Sequence, residues 1–247
     1  MSGFLDVTDV RKSYGAIKAV DGVSFSVDPG EIVGVIGPNG SGKTTLFNSI
    51  LGQIRPSSGR VRLNGEDITG MSPLQLARRG VGRTFQTLQV FVKLSVRDNL
   101  IVAAQEFQGS LAGRLLARPD AGLGEQAERM IEMFRLERVA GLAAGTLSYG
   151  QQKLIDIAMA FMAKPRLVLL DEPCAGVNPS LVEQLRELLL DLNKSQGGSF
   201  VVIEHNMDFV MKLCPHVICM VEGRVLAEGS PQRVQADPAV LEAYLGN

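Results

Sequence analysis

The sequence has few groups suited to cross-linking or soft-metal chemistry. Three cysteines occur in 247 residues, Cys174, Cys214 and Cys219, with no CxxC pair. An odd count without paired spacing argues against a disulfide framework or a cysteine-based zinc site, and points to a reducing, cytoplasmic compartment. His205 and His216 are the only histidines, too few for a histidine-rich metal centre. An excess of one charge is also lacking, since 25 Lys and Arg face 26 Asp and Glu for a net −1. A dedicated nucleic-acid binder draws affinity from a basic excess, so no nucleic-acid partner is expected. The longest apolar stretches, such as Ile157–Ala163, are about seven residues long, where a membrane-spanning helix takes about 20. The opening residues MSGFLDVTDV have no basic stretch followed by an apolar one, so no secretion signal is expected.

What is present is the composition of a globular chain, 45% hydrophobic and 21% charged. Phe4–Val10 and Ala19–Val27 alternate apolar and polar residues as half-buried strands do. Ile32–Gly37 reads as a buried strand, followed by a helix over Lys43–Gly52. Val61–Leu63 and the turn Asn64-Gly65 follow. Helical spacing dominates the middle, over Leu74–Arg79, Val96–Phe107, Glu125–Phe134 and Gln151–Ala163, with Gly109–Gly124 as a loop or short helix. After Pro165 the pattern alternates again: strands at Leu167–Leu170, Phe200–Ile203, Val217–Val221 and Leu226–Glu228, helices at Ser180–Lys194, Met207–Leu213 and Asp237–Leu245. Alternating buried strands and helices imply a parallel sheet with both faces covered.

GPNGSGKT fits GxxxxGK[ST] and sits between a predicted strand and a predicted helix. Its residues are Gly37, Pro38, Asn39, Gly40, Ser41, Gly42, Lys43 and Thr44, with Thr45 next. Glycines let successive amides turn inward, and with the helix N-terminus they form a nest for phosphates. Lys43 is expected to reach the β- and γ-phosphates of a nucleoside triphosphate, and the Thr44 hydroxyl to ligate Mg²⁺. Downstream, LVLLDEP is an apolar strand ending in Asp171 and Glu172. A strand buried on both faces leaves acids only at its end. Asp171 is expected in the Mg²⁺ shell, and Glu172 where an attacking water gives up its proton.

LSYGQQ, Leu147–Gln152, precedes a helix about twenty residues before the acidic strand and resembles the LSGGQ signature of ABC-type ATPases. The resemblance covers nearly the whole chain. It implies a P-loop NTPase core, an α/β fold with a mostly parallel sheet flanked by helices. An N-terminal antiparallel β-subdomain and an inserted α-helical subdomain complete the family fold. One ATPase domain is expected over 1–247, with residues 1–85 and 164–247 as β-subdomain and core and 86–163 as the insertion. The resemblance also implies roles. Tyr14 stacks on adenine, Gln86 in RTFQ contributes to the metal site and opens the insertion, and His205 contacts the γ-phosphate. Ser148, Gly150 and Gln151 meet the ATP of a second ATPase subunit in a head-to-tail homo- or heterodimer, so that two copies sandwich two nucleotides. The departures are Tyr149 in place of the first signature glycine, and Asn178 in CAGVNP in place of an aspartate.

With no spanning segment, the resemblance implies a motor peripheral on the inner face of the cell membrane, bound to transmembrane permease subunits and indirectly served by a periplasmic solute-binding protein. Val90, Phe91, Val92 and Leu94 are candidates for the permease groove. GRTFQTLQVFVKLSVRDNL, DEPCAGVNP, IEHNMDFV and ADPAVLEAYLG resemble the ATPases of branched-chain amino-acid importers. Kindred alternatives are a urea or amide importer and a lipopolysaccharide exporter. A soluble ABC ATPase of DNA repair or translation is the alternative from another class, but the chain has neither a heptad run nor a second cassette. Cys174 is read as a small buried residue, His216 as structural, and the Arg78, Arg79 and Arg83 group as a solvated face or a phosphate-side scaffold.

Overall fold

The computed structural model describes residues 3–84, 88–104 and 121–245. A six-stranded sheet forms the middle layer in the order β10-β9-β3-β8-β7-β6. These strands are β3 (Ile32–Ile36), β6 (Val81–Arg83), β7 (Leu167–Asp171), β8 (Ser199–Ile203), β9 (His216–Val221) and β10 (Arg224–Gly229). All neighbours are parallel except the edge pair β10–β9. A four-stranded antiparallel sheet joins β1 (Leu5–Tyr14), β2 (Ile17–Val27), β4 (Ser58–Leu63) and β5 (Glu66–Asp67). Asn64 and Gly65, at φ 50° and 81°, make the tight turn between β4 and β5.

The uniformly apolar strands are explained by two cores. Ile36, Val168, Leu170, Phe200 and Val202 point into one core, shared with the helices. Val33, Val35, Leu169, Val201 and Ile203 point into the other, shared with the antiparallel sheet. Side chains alternate across a strand, so a sheet buried on both sides needs an apolar residue at every position. Helix α1 (Lys43–Ile50) packs on β1 and β2, and α2 (Pro73–Ala77) packs beside β6. Helices α3 (Val96–Ala104), α4 (Ala121–Met133) and α5 (Tyr149–Met162) fall between β6 and β7 and pack together. Beyond β7 come α6 (Pro179–Gln196), α7 (Met207–Leu213), α8 (Pro231–Gln235) and α9 (Pro238–Leu245). Among the described residues no helix is long and apolar enough to cross a membrane.

Three elements depart from the sequence reading by being too short to show a period. β5 has two residues, β6 three and α8 five. Helix α4 begins at Ala121, inside the expected loop Gly109–Gly124, whose residues 109–120 lie outside the described ones, as do 105–107 of the expected Val96–Phe107 helix.

Candidate active site

The carboxyl ends of β3, β7 and β8 lie side by side, and each runs directly into a site loop. From β3 the chain enters Gly37–Thr44. Gly37 stands at φ 146° where a Cβ would come 2.1 Å from the Met220 carbonyl, and Gly42 at φ 97° where one would meet the Ala19 carbonyl at the same 2.1 Å. Only glycine fits either place. Gly42 is the N-cap of α1, so the loop closes onto a helix N-terminus. The Lys43 side chain is buried and lies within the loop, its ammonium donating to the Gly37 carbonyl at 2.8 Å, the Pro38 carbonyl at 3.0 Å and Ser41 Oγ at 3.3 Å. Burial lowers its pKa, partly opposed by the fields of Glu172, Cys219 and Asp171. Thr44 is exposed on the first turn, and the Thr45 carbonyl accepts from Ser49 Oγ at 2.8 Å. Asn39 and Gly40 lie exposed at the loop tip.

Asp171 ends β7, 2% exposed, and its amide donates to Thr84 Oγ1 at 3.2 Å. Its Oδ2 is buried without a hydrogen-bond partner and stands 3.7 Å from an Arg83 guanidinium nitrogen. Burial raises the Asp171 pKa, Arg83 opposes, and the neighbouring Glu172 charge adds to the rise. Glu172 follows at φ 48°, a left-handed conformation that costs a residue with a Cβ on the order of 1 kcal/mol or more. Its amide is held by the Ile203 carbonyl at 2.9 Å, and its Oε1 lies 3.0 Å from His205 Nε2. The sequence-predicted pair therefore meets across the ends of adjacent strands.

Glu204 is a positioning residue that the sequence reading missed. It is 3% exposed. Its Oε1 accepts the Cys174 amide at 2.6 Å, and its Oε2 accepts the amides of His205 at 2.8 Å and Asn206 at 3.0 Å. One buried carboxylate thus ties the loop after Glu172 to the loop carrying His205. Tyr244 was missed as well. Burial, helped by the field of Cys219, pushes its hydroxyl up to about 12, the Gly37 backbone opposing, and the hydroxyl is buried without a hydrogen-bond partner among the described residues.

Ser148 caps α5 through a reciprocal box. Gln151 N donates to Ser148 Oγ at 3.3 Å, and Ser148 N donates to Gln151 Oε1 at 3.1 Å. The Tyr149 and Gly150 amides, next in the first turn, have no partner among the described residues. A Cβ at Gly150 would meet Leu181 Cδ2 at 2.5 Å, so glycine here lets α6 come close. Tyr149 lays its ring against Gly176, in the loop after Glu172. Asn178 caps α6, its Oδ1 accepting from Leu181 N at 3.0 Å. Helix α5 packs on α3, α4 and β6, whereas α1 packs on β1 and β2, so the signature and the phosphate loop ride on different elements.

Tyr14 is half exposed at the end of β1, paired with Ile17 across the turn, two residues before the Ala19 that touches Gly42. Gln86 lies outside the described residues. Phe91 and Val92 are exposed, while Val90 packs on the helical core. Buried Asn99 holds their loop, accepting the Phe91 amide at 2.8 Å and donating to the Ser95 carbonyl at 2.8 Å. Cys174 is buried, and His216 sits between Glu31 and Glu228 at 3.2 and 3.1 Å. Arg79 pairs with Glu66, while Arg83 supports Asp171.

The family described as ABC transporter matches residues 20–175, and that described as branched-chain amino acid ATP-binding cassette transporter matches residues 224–247. The high-affinity branched-chain amino acid transport ATP-binding protein BraF of Pseudomonas aeruginosa is 38% identical over 98% of this chain and 97% of its own. The crystal structure of the ADP conformation of MJ1267, an ATP-binding cassette of an ABC transporter, superposes with a TM-score of 0.89 at 36% identity over 100% of both chains. A dimeric, post-hydrolysis structure of the cassette MJ0796 bound to ADP and Pi has a TM-score of 0.78 at 25% identity, over 92% of this chain and 98% of that one. The chain belongs to the ABC transporter family, as one of its ATP-binding cassettes.

Proposed function

We propose that this cassette hydrolyses ATP as the motor of an importer of branched-chain amino acids. The observation that carries the hydrolytic reading is the 3.0 Å contact between Glu172 Oε1 and His205 Nε2 at adjacent strand ends, beside the buried Lys43. Lys43 and the amides of Gly37–Thr44 bind the β- and γ-phosphates, with Thr45 behind them on α1. The exposed Thr44 hydroxyl and the buried Asp171 Oδ2, which accepts no hydrogen bond among the described residues, suit Mg²⁺, which takes oxygen ligands. Gln86 joins them. Bound there, the ion neutralises charge on the transferring phosphoryl group.

Glu172 accepts a proton from a water as its oxygen bonds to the γ-phosphorus, and the bond from that phosphorus to the ADP oxygen breaks. His205 holds Glu172 and meets the γ-phosphate. Tyr14 offers its exposed ring to adenine. The Tyr149 and Gly150 amides, framed by Ser148 and Gln151, approach the γ-phosphate of a second ATPase subunit. A helix N-terminus carries about half a positive charge, and that supports this pairing.

The import reading rests on the match at 224–247 and on the name of the P. aeruginosa relative. It implies two transmembrane permease subunits, a periplasmic solute-binding protein and a place on the inner face of the membrane. Exposed Phe91, Val92 and Leu142, in strands of loop bonded to one another, support a permease contact on the insertion. Two measurements test the proposal. Glu172→Gln is expected to bind ATP without turnover and to elute as a dimer with ATP and Mg²⁺; an unchanged monomer peak refutes the paired site. In vesicles carrying the copurifying membrane subunits, leucine, isoleucine or valine with the binding protein is expected to stimulate turnover. Stimulation by urea alone refutes the substrate class.

A further inference from the structure

The ends of β7 and β8 opposite the candidate active site frame a cavity of about 510 Å³. That volume lies in the range of small-molecule sites. Three cations line it, Arg129, Lys164 and Arg166, and no Asp or Glu among the described residues does. Arg129 lies 3.7 Å from Glu125, but Lys164 and Arg166 have no carboxylate within ion-pair distance among the described residues. The Arg166 guanidinium is held over the Phe4 ring, 5.0 Å from its centroid. Apolar walls come from Phe4, Met130, Met133 and Pro165. A small inorganic anion leaves those walls unused, and an uncharged apolar ligand leaves the cations unpaired. We infer that the cavity binds a hydrophobic carboxylate, its head on Arg166 and Lys164 and its chain along Met130 and Met133.

The placement gives such a ligand a consequence. Met130 and Met133 belong to α4 in the insertion, whereas Arg166 immediately precedes β7 and Ser199 opens β8 of the core. Those strands are five residues long, about 15 Å, and they end at Asp171 and just before Glu204 and His205. Helix α5 begins at the signature and ends at Met162, whose carbonyl accepts from the cavity residue Gln126. An occupant touching both parts favours this arrangement of insertion and core over any other. Turnover then falls wherever the cycle needs the two to shift. This second half rests on the ATPase reading; binding does not.

Octanoate serves as the probe, titrated calorimetrically into the full chain without nucleotide. Saturable binding is expected, at least tenfold tighter than acetate or octanamide. Arg166→Ala is expected to weaken it at least fivefold, and Met133→Glu, which sets a like charge in the wall, to abolish it, both with unchanged circular dichroism. No saturable binding, equal binding of octanamide or acetate, or indifference to both substitutions overturns the site. Saturating octanoate is expected to lower ATP turnover at least twofold in the wild type and not in Met133→Glu. Unchanged wild-type turnover at saturation overturns the regulatory half and leaves the site itself standing on the titration.

Discussion

At the residue scale the site depends on groups held away from their ordinary ionisation. Burial lowers the Lys43 pKa, so its ammonium is lost at lower pH than the ordinary value of about 10.4. ATP affinity of the free chain is therefore expected to decline on the alkaline side earlier than for an exposed lysine. Lys43→Ala is expected to cut turnover by about 10²–10³-fold and to erase that decline. The same shift acts on stability. The unfolded chain binds the extra proton between the lowered and the ordinary value, so over that window stability rises with pH. Fluorescent-nucleotide titration and thermal melts across pH check the two signs. Glu204 is the other test. Glu204→Gln replaces one carboxylate oxygen with an NH₂ that faces backbone donors, leaving at least one buried amide without its acceptor. A loss of about 1.5–3 kcal/mol is expected by denaturant unfolding, with turnover falling as Glu172 and His205 lose their common anchor.

Nothing in the sequence marks Glu204 as special. A carboxylate after FVVI reads as a strand end, and its function lies in three backbone amides, two of them from its own turn and one from thirty positions upstream. Lys43, Asp171 and Glu172 are legible because glycine spacing and strand-terminal acids carry their own geometry. Arg83 is legible only as a cation until Asp171 is folded against it.

At the scale of elements, regular strands and long helices are readable and short ones are not. Val81–Arg83 becomes a strand because β7 offers an edge, not because three residues hold a period. The sequence reading starts the signature helix at Gln151, whereas the structure starts it at Tyr149, because Ser148 with Gln151 three residues on forms a capping box. Tyr149 gains a use that its departure from the family pattern did not suggest. At Gly176, φ is 71° and an added Cβ would lie 2.8 Å from the Tyr149 ring. Gly176→Ala is expected to destabilise by more than about 1 kcal/mol, and by less in a Tyr149→Gly background, where only the backbone strain remains. A double-mutant cycle in urea reads the coupling; equal costs in both backgrounds would deny the contact any energetic weight.

For the whole molecule, one sheet serves two cores, and the insertion adds a surface the cores do not need. Phe91→Asp with Val92→Asp is expected to change the stability of the isolated chain by within about 0.5 kcal/mol per site, since both side chains are exposed. Recovery of the chain with tagged permease subunits in detergent is expected to collapse. Undiminished recovery would move the membrane contact elsewhere on the insertion.

The amide pair at the head of α5 has a further implication. The side chains of Ser148, Gly150 and Gln151 carry no group that titrates between acid and neutral pH. If a second subunit meets the nucleotide through this turn, as proposed, these three residues would read the phosphate by shape and dipole and not by a proton over that span. An acid inflection in the rate profile of the proposed pair is then expected to come from groups other than Ser148, Gly150 and Gln151.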